Sequence, residues 1–149
     1  MARPDPQLEF FVDRSLGKSV VEGLREAGLN ASSMADVYGE NRAQGLADEV
    51  WLRDAGMHAW VVLTKDDHIR RRPAERDALI EAAVRVFCLT NAQLRASEQI
   101  ERFVSNRHRI IRRARKPGPF IDGVYRDGVR VVYQLGRDGR EPLASGPHV

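Results

Sequence analysis

Acidic side chains recur in this sequence where apolar segments end. Asp13 closes the apolar run at 8–13, and Asp66 and Asp67 follow the run at 59–65. If both runs are strands of one parallel sheet, their carboxyl ends meet at the same edge and the carboxylates converge there. Carboxylates held together repel one another unless a cation neutralises them. Carboxylate oxygens suit Mg²⁺ or Mn²⁺, and the lack of clustered Cys or His disfavours zinc.

A third acid comes from a helical pattern predicted over 45–56. Asp48 shares its helical face with apolar residues three, four and seven positions later. These are Trp51, Leu52 and Ala55. Glu49 instead precedes Arg53 by four residues, the spacing of a favourable surface ion pair. We therefore predict that Asp48, rather than Glu49, points inward at the edge of the sheet.

Each of these acids also has a simpler explanation. Aspartate at the end of a strand often caps a turn, and Asp48 could serve only the first turn of its helix. The prediction of a cation site therefore depends on the convergence of all three acids rather than on any one of them.

Basic residues follow the acidic edge directly. Arg70, Arg71 and Arg72 are consecutive, and a second basic cluster spans 107–116. Basic side chains beside a cation site would gather the phosphodiester backbone of a nucleic acid. For 107–116, a solvated helix face explains the charges equally well.

The bulk composition is that of an ordinary globular domain. The 149 residues are 42% apolar and 30% charged, with a formal net charge of +3. We expect one domain over 8–135, with flexible termini at 1–7 and 136–149. The single cysteine, Cys88, fits a reducing cytoplasm, and neither a signal peptide nor an apolar run long enough to span a membrane is visible.

The order of predicted elements indicates an α/β fold. Strands at 8–13, 29–34, 59–65 and 84–89 alternate with helical patterns, which predicts a mostly parallel sheet between helices. Asp127-Gly128, within 124–135, predicts a C-terminal β-hairpin.

The helical patterns also predict boundaries and buried faces. We expect Gly28 to follow the first helix, Gly56 to end the helix over 45–56, and Pro73 to lie in the first turn of the next. The helix after Pro73 would bury Leu79, Ile80 and Ala83. Thr90-Asn91 would cap a later helix. The face expected for that later helix comprises Leu94, Ser97, Ile100, Glu101 and Val104.

Five segments together resemble the PIN-like domain proteins of the VapC toxin type. They cover roughly residues 9–130 in the same order, so the resemblance is more specific than any single motif. The segments are FFVDRSLG at 10–17, ADEVWLRDAG at 47–56, WVVLTKDDHIRRRPAERDAL at 60–79, VRVFCLT at 84–90 and KPGPFIDGVYRDG at 116–128.

This resemblance implies a three-layer α/β/α domain that cleaves RNA with Mg²⁺ or Mn²⁺ held by clustered acids. The acid of the first strand falls on Asp13, that of the helix on Asp48 with Glu49 beside it, and that after the threonine on Asp66. Members usually pair with an antitoxin protein that blocks the acidic pocket, and many form homodimers.

The fourth acid of the family pattern is not fixed by the resemblance. The fourth strand ends in Thr90-Asn91, which carries no acid. Asp67, Asp36 and Glu49 remain candidates for this position, with Asp36 aligned more loosely.

The leading hypothesis is a metal-dependent endoribonuclease acting as the toxin of a toxin–antitoxin pair. Asp13, Asp48 and Asp66 would be catalytic by holding the ion, and basic residues would position the RNA backbone. These basic residues are Arg70, Arg71 and Arg72, with Arg14 as a further candidate.

Two alternative functions belong to other classes of protein. A non-catalytic module on the same fold would bind nucleic acid or a protein partner whether or not Mg²⁺ is present, and EDTA would separate it from a nuclease. A phosphoacceptor receiver domain needs an acidic pair after the first strand and a lone aspartate after the third. Here the pair, Asp66-Asp67, follows the third strand, so the order is wrong.

Overall fold

A single mixed sheet runs through the computed structural model, which describes residues 7–91 and 93–134. Its strands lie in the order β2-β1-β3-β4-β5-β6, all parallel to their neighbours except β6. The strands are β1 Glu9–Val12, β2 Asn30–Ser33, β3 Val61–Thr64, β4 Arg85–Leu89, β5 Phe120–Tyr125 and β6 Gly128–Gln134. This is the mostly parallel sheet with a C-terminal hairpin that the sequence predicts.

Seven α-helices lie in the described part of the chain, together with one turn of 3-10 helix at Asp67–Arg70. They are α1 Lys18–Glu26, α2 Met34–Tyr38, α3 Glu40–Gly45, α4 Asp48–Met57, α5 Pro73–Glu81, α6 Ala96–Ser105 and α7 Arg107–Ala114.

The central strands are apolar throughout because both faces of the sheet are covered. In β1, Phe10 and Val12 pack into one core with residues of α1, α6 and α7, whereas Phe11 packs into a second core with α4 and α5. In β3, Val61 and Val62 divide between the two cores in the same way. The alternation of side chains along each strand thus produces the α/β/α layers.

The register of the sheet brings the ends of β1 and β3 together. Val12 lies beside Leu63 in the ladder, and the backbone N–H of Asp13 donates to the carbonyl of Leu63 at 3.0 Å. Asp13 therefore leaves β1 next to Thr64, the last residue of β3. This parallel pairing is what places acids from distant segments at one edge.

Gly56 does not end its helix. It lies inside α4, and a Cβ at this position would come within 2.3 Å of the carbonyl oxygen of Ala82. The glycine is required by the close approach of α4 to the end of α5, and it gives no stop signal. The helix also begins at Asp48 rather than at 45, because Gly45 belongs to α3.

The predicted faces of two other helices need correction. In α5 the buried residues are Glu75, Ala78 and Leu79, while Ala83 is exposed beyond the helix with a φ of 54°. In α6, which begins at Ala96, the buried residues are Gln99 and Phe103. Ser97 and Glu101, predicted for that face, are exposed, as are Thr90 and Asn91, which do not cap α6.

Helices α2 and α3 have no counterpart in the sequence prediction, which gave only a strand over 29–34. Ser33 ends β2 and caps α2 through a reciprocal pair of hydrogen bonds with Asp36. Gly39, with a φ of 86°, then separates α2 from α3. The two helices are five and six residues long, too short to show a periodic pattern.

The C-terminal hairpin is confirmed, one residue earlier than its sequence signal. Tyr125 pairs with Gly128, so the turn residues are Arg126 and Asp127. The expected flexible termini, apart from residue 7, lie outside the described residues. None of the described helices combines the length and the apolar character needed to cross a bilayer.

The packing at Gly56 gives a test of the fold. We expect Gly56→Ala to lower the free energy of unfolding by about 2 kcal/mol, because the backbone of α5 must move to admit the new methyl group. That loss corresponds to roughly 5 °C in the melting temperature. Gly45→Ala is the matched control, since a Cβ there meets nothing within 4 Å. It should be neutral or stabilising by up to about 1 kcal/mol. Equal melting temperatures for the two variants would contradict this packing.

Candidate active site

Asp13 is buried at the carboxyl end of β1 and is held by hydroxyl groups. Its carboxylate is 4% exposed, and its Oδ2 accepts hydrogen bonds from Ser15 Oγ and Thr64 Oγ1, each at 2.8 Å. Burial raises the pKa of Asp13, and the negative charge of Asp48 adds to the increase, while the two hydroxyl groups oppose it. Among the described residues, its contacts are hydroxyl groups rather than cations. Asp13 is thus a carboxylate that a nearby cation would stabilise.

The two hydroxyls also fix the loops after β1 and β3. Ser15 Oγ accepts from the backbone N–H of Lys65 at 3.1 Å, and Thr64 Oγ1 accepts from that of Asp66 at 2.9 Å. The sequence prediction did not assign a role to Ser15 or Thr64. The resemblance segments contain both residues, but nothing in their spacing shows that they would meet.

Asp48 lies in the first turn of α4, on the same face as Trp51, as the helical spacing predicts. The buried indole Nε1–H of Trp51 donates to Asp48 Oδ1 at 2.8 Å. Arg14 Nη2 lies 3.5 Å from the same oxygen and also donates to the carbonyl of Leu46. The helix therefore aims the carboxylate of Asp48 at the edge of the sheet, and Arg14 neutralises it from the β1 side.

Asp66 occupies the loop after β3. Its Oδ1 accepts from the backbone N–H of His68 at 3.0 Å and so caps the 3-10 turn, which leaves Oδ2 for another partner. That second oxygen accepts from Arg72 Nη1 at 2.9 Å. Asp66 thus caps the turn with one carboxylate oxygen and contacts Arg72 with the other, while its role in a cation site stays a prediction.

Arg72 lies among three carboxylates. Its Nη1 is 2.9 Å from Asp66 Oδ2, 3.1 Å from Glu75 Oε2 and 3.8 Å from Asp48 Oδ2. Hydrogen bonds to Asp66 and Glu75 raise the pKa of the guanidinium. A single positively charged nitrogen therefore neutralises an acidic cluster contributed by the start of α4, the loop after β3 and the start of α5.

Glu75 belongs to this cluster but was not identified from the sequence. Its side chain is 10% exposed, and burial together with a hydrogen bond to Asp48 raises its pKa to about 7, against the opposing effect of Arg72. The sequence gave one signal, an acid three residues after the arginine triplet. We interpreted that segment only as the beginning of a helix.

The donor chemistry of this edge suits a hard divalent cation. All of the acids offer carboxylate oxygens, and Asp13 is a buried carboxylate with hydroxyl partners. Across residues 7–91 and 93–134, however, no three carboxylate, imidazole or thiol side chains are arranged to hold an ion together. Arg72 is the cation that lies between Asp48, Asp66 and Glu75, so a divalent ion could share these acids only if Arg72 moved aside.

Comparison with known proteins decides the family. Residues 8–91, more than half of the chain, match the sequence model of the family described as "PIN like domain". The chain belongs to the PIN-like domain family. The matched region contains Asp13, Asp48, Asp66 and Glu75. The resemblance noted from the sequence motifs is thereby confirmed.

A named relative extends the comparison beyond the matched domain. The chain is 38% identical over 117 residues to "Putative ribonuclease VapC45" of Mycobacterium tuberculosis (strain ATCC 25618 / H37Rv), which covers 78% of this chain and 85% of that protein. No solved structure matches the chain significantly.

The other predicted acids of this PIN-like domain lie apart from the acidic cluster or at its margin. Asp36 accepts hydrogen bonds within the α2 capping box, and its Oδ2 lies 2.6 Å from Arg25 Nη2. The hydrogen bond from the backbone N–H of Ser33 is the largest cause of the lowered pKa of Asp36. The Asp67 side chain is 61% exposed and lies 3.6 Å from His68 Nε2. Glu49 is half-buried in the first turn of α4, next to Asp48.

The arginines predicted to contact RNA occupy different positions. Arg71 is exposed, and Arg70 is half-buried beside a small cavity that Asp66 also lines. Arg14 and Arg72 both contact the acids directly, so they neutralise the cluster in addition to any contact with a phosphate. The triplet does begin at the acidic edge, as its sequence position indicates.

The C-terminal end of the basic segment 107–116 lies at the opposite edge of the sheet. Arg85, the first residue of β4, donates to the carbonyl of Ala114. Arg115 and Lys116 line a cavity with Trp60, which precedes β3. Because the acids lie at the carboxyl ends of the same strands, these two basic residues do not flank them.

Opposite pKa shifts in two aspartates give a test of this geometry. Because the pKa of Asp13 is raised in the folded state, the stability of the wild type falls as the pH rises from the unfolded-state pKa of 3.8 through the folded-state pKa. An asparagine at this position does not ionise, so the variant would not lose stability in this way. The pKa of Asp36 is lowered, so its contribution is present above pH 3.8 and lost on acidification. Without divalent ions, Asp13→Asn should therefore gain stability relative to wild type as pH increases.

The control variant should change in the opposite direction. Asp36→Asn should lose about 1 kcal/mol at neutral pH, the usual cost of a weakened helix cap. Urea unfolding of both variants from pH 3 to pH 8 measures the two trends. A destabilisation of Asp13→Asn that grows with pH would contradict the burial of an uncompensated carboxylate.

Proposed function

We propose that this protein is a metal-dependent endoribonuclease that acts as the toxin of a toxin–antitoxin pair. The observation that carries the proposal is the gathering of Asp13, Asp48 and Asp66 at one edge of the sheet, within the region matched by the PIN-like domain family. The similarity to a relative named as a ribonuclease of the VapC type supports RNA as the substrate class.

The reaction adds water across one P–O bond of the RNA backbone and leaves a phosphate end and a hydroxyl end. Mg²⁺ or Mn²⁺ held by these acids would supply positive charge for the phosphodiester and for the attacking water. Asp13 would bind the ion from a fixed direction, because Ser15 and Thr64 hold its Oδ2. Asp48 and Asp66 would bind it from α4 and from the loop after β3.

The surface beside Asp13 can admit an extended substrate. A groove of about 760 Å³ runs from Asp13 along α1 and α2, with Leu16 and Met34 among its apolar lining residues and Lys18 and Arg25 among its basic ones. Acids also line this groove, among them Glu22 and Glu40, and Arg25 is paired with Asp36. Lys18 is therefore the basic residue there that could attract a phosphodiester backbone. Arg71, exposed between the 3-10 turn and α5, would also attract it.

The family membership and the VapC-type relative also lead to proposals about partners and location. A cognate antitoxin would cover the acidic edge, and the enzyme would act in the cytoplasm. A homodimer remains a proposal based on the same likeness.

One observation favours a second candidate function. The Arg72 guanidinium neutralises Asp48, Asp66 and Glu75 without any added ion. A non-catalytic PIN-like module that binds nucleic acid or a protein partner would keep this arrangement permanently.

Cleavage assays separate the two candidates. We expect the purified protein to cleave RNA in the presence of Mg²⁺ or Mn²⁺ and to lose this activity when EDTA is added. Asp13→Asn and Asp66→Asn should each reduce the rate at least ~100-fold, as expected when a group that stabilises charge in the transition state is removed. Asp77→Asn, on the exposed side of α5, is the matched control and should cleave at the wild-type rate. Cleavage by Asp13→Asn at the wild-type rate would remove Asp13 from the mechanism, and RNA binding without cleavage would favour the second candidate.

A further inference from the structure

We propose that the outer face of α7 is a second RNA-binding surface, separate from the acidic edge, which holds the phosphate backbone of a folded RNA. This basic face consists of Arg109, Arg112, Arg115 and Lys116, all of which are exposed. The inference deepens the proposed function and rests on it in one respect, because the choice of RNA as the polyanion comes from the proposed ribonuclease activity.

Two other arginines of α7 serve the fold. Arg113 is half-buried against the sheet, where its Nε lies 2.6 Å from Asp122 Oδ2 and its guanidinium carbon lies 3.9 Å from the centre of the Phe120 ring. Arg107, also half-buried, donates to the carbonyl of Ala27 at 3.0 Å. Their contacts explain why these two positions are basic.

The packing of the helix defines the basic face. Ile110 and Ala114 are buried in the core formed with α1 and α6, so the opposite side of α7 is turned to solvent. Arg109 and Arg112 lie on that side at a spacing of three residues. Lys116, four residues beyond Arg112, continues the spacing after the end of the helix.

Contacts within the domain do not account for the charges on this face. In the described part of the chain, the side chains of Arg112 and Lys116 take part in no hydrogen bond or ion pair. Arg109 reaches Asn106 Oδ1 at 3.4 Å. Uncharged polar residues at these positions would therefore serve the fold equally well.

The charge distribution distinguishes this face from an ordinary solvated one. Solvated surfaces usually intersperse charges of both signs. The preceding helix, α6, does so, with Glu98 and Glu101 beside Arg102. Residues 107–116 instead contain six Lys or Arg residues and no Asp or Glu.

This concentration of like charge opposes the formation of α7. Like charges four residues apart destabilise a helix, and Arg109 with Arg113 and Arg112 with Lys116 have this spacing. Basic residues in the first turn also oppose the helix dipole, and the first turn of α7 contains no acid. A bound polyanion would remove this repulsion, which water alone leaves in place.

The basic face continues into a cavity at the amino edge of the sheet. The cavity has a volume of about 350 Å³, and the described residues that line it include Arg85, Arg115 and Lys116 but no acid. Arg85 is held in place because it donates to the carbonyls of Ala59 and Ala114. A phosphate group at this cavity would therefore lie near three cationic side chains.

The location of the basic face indicates which RNA it would favour. Arg85 begins β4, whereas the acids lie at the carboxyl ends of the strands, so the length of β4 separates the cavity from the acids. A strand of that length spans roughly 16 Å. A short single strand bound at the acids does not need the basic face, whereas a folded RNA large enough to cover one side of the domain contacts both.

Fluorescence anisotropy of a labelled RNA hairpin in EDTA tests the proposal without any contribution from catalysis. The double variant Arg112→Gln/Lys116→Gln should bind the hairpin about tenfold more weakly than wild type, because two phosphate contacts are lost. The slope of log K against log salt concentration should become less steep by roughly 2, about one unit for each residue. Circular dichroism checks that the variant is folded, and its melting temperature should not fall, because both positions are exposed.

A matched control removes the same charge from the other layer of the domain. Arg42→Gln/Arg53→Gln changes exposed residues of α3 and α4, which pack into the second core. This variant should bind the hairpin almost as wild type does. Equal hairpin affinities for the two double variants would show that only the net charge of the protein matters, and would overturn the proposal.

An acidic protein is the alternative occupant of the basic face, and polyglutamate is the probe for it. Unchanged hairpin binding by Arg112→Gln/Lys116→Gln, together with loss of polyglutamate binding, would assign the face to an acidic partner and overturn the proposal. A wild type that binds the hairpin no more tightly than a short single-stranded RNA would also overturn it.

Wild-type cleavage of a short single-stranded RNA in Mg²⁺ or Mn²⁺ tests the proposed function separately. If the wild type cleaves no RNA but the α7 double variant alone loses hairpin binding, the ribonuclease proposal fails and the basic face stands. If the wild type cleaves RNA but both double variants bind the hairpin equally, the ribonuclease proposal stands and the basic face fails.

Discussion

Repulsion between carboxylates at the carboxyl edge of the sheet is the constraint that organises this PIN-like domain. The parallel pairing of β1 with β3 brings Asp13 and the loop carrying Asp66 together, and the start of α4 adds Asp48. These charges must be neutralised for the edge to remain ordered. Arg14 and Arg72 supply positive charge to Asp48 and Asp66, while Asp13 receives hydroxyl groups. Arg72, the last residue of the arginine triplet, thus has an internal role in addition to the contact with nucleic acid that its charge suggests.

Burial of Asp13 destabilises its charged form and makes this edge of the sheet favourable for a cation. The raised pKa of Asp13 shows that its environment disfavours the charged form. A cation would reverse that cost, so binding an ion and stabilising the fold are linked at this residue. Ser15 and Thr64 keep the carboxylate in one orientation throughout. A buried carboxylate held in one orientation is consistent with destabilised functional groups held by a rigid scaffold.

The sequence predicted features that depend on local pattern, and it missed those that depend on packing between helices. The apolar runs predicted the strands, and the strand ends correctly placed Asp13 and Asp66 at one edge of the sheet. Spacing along α4 correctly placed Asp48 beside Trp51. Glu75 escaped detection because its contact with the acidic cluster depends on how α5 packs against α4, and no periodicity within α5 contains that information. Gly56 was misinterpreted for the same reason, since its backbone approaches Ala82, which directly follows α5. Short helices such as α2 depend on a cap rather than a repeat, so pattern analysis could not find them.

We propose that one divalent ion binds among these acids when Arg72 withdraws. Anomalous diffraction from crystals of the protein grown with Mn²⁺ would test it most directly, because the signal locates the ion without reference to activity. We expect a manganese peak in contact with carboxylate oxygens of Asp13, Asp48 and Asp66, with the Arg72 guanidinium displaced towards solvent. Crystals at saturating Mn²⁺ with no peak at this edge, and with Arg72 still between Asp48 and Asp66, would contradict it.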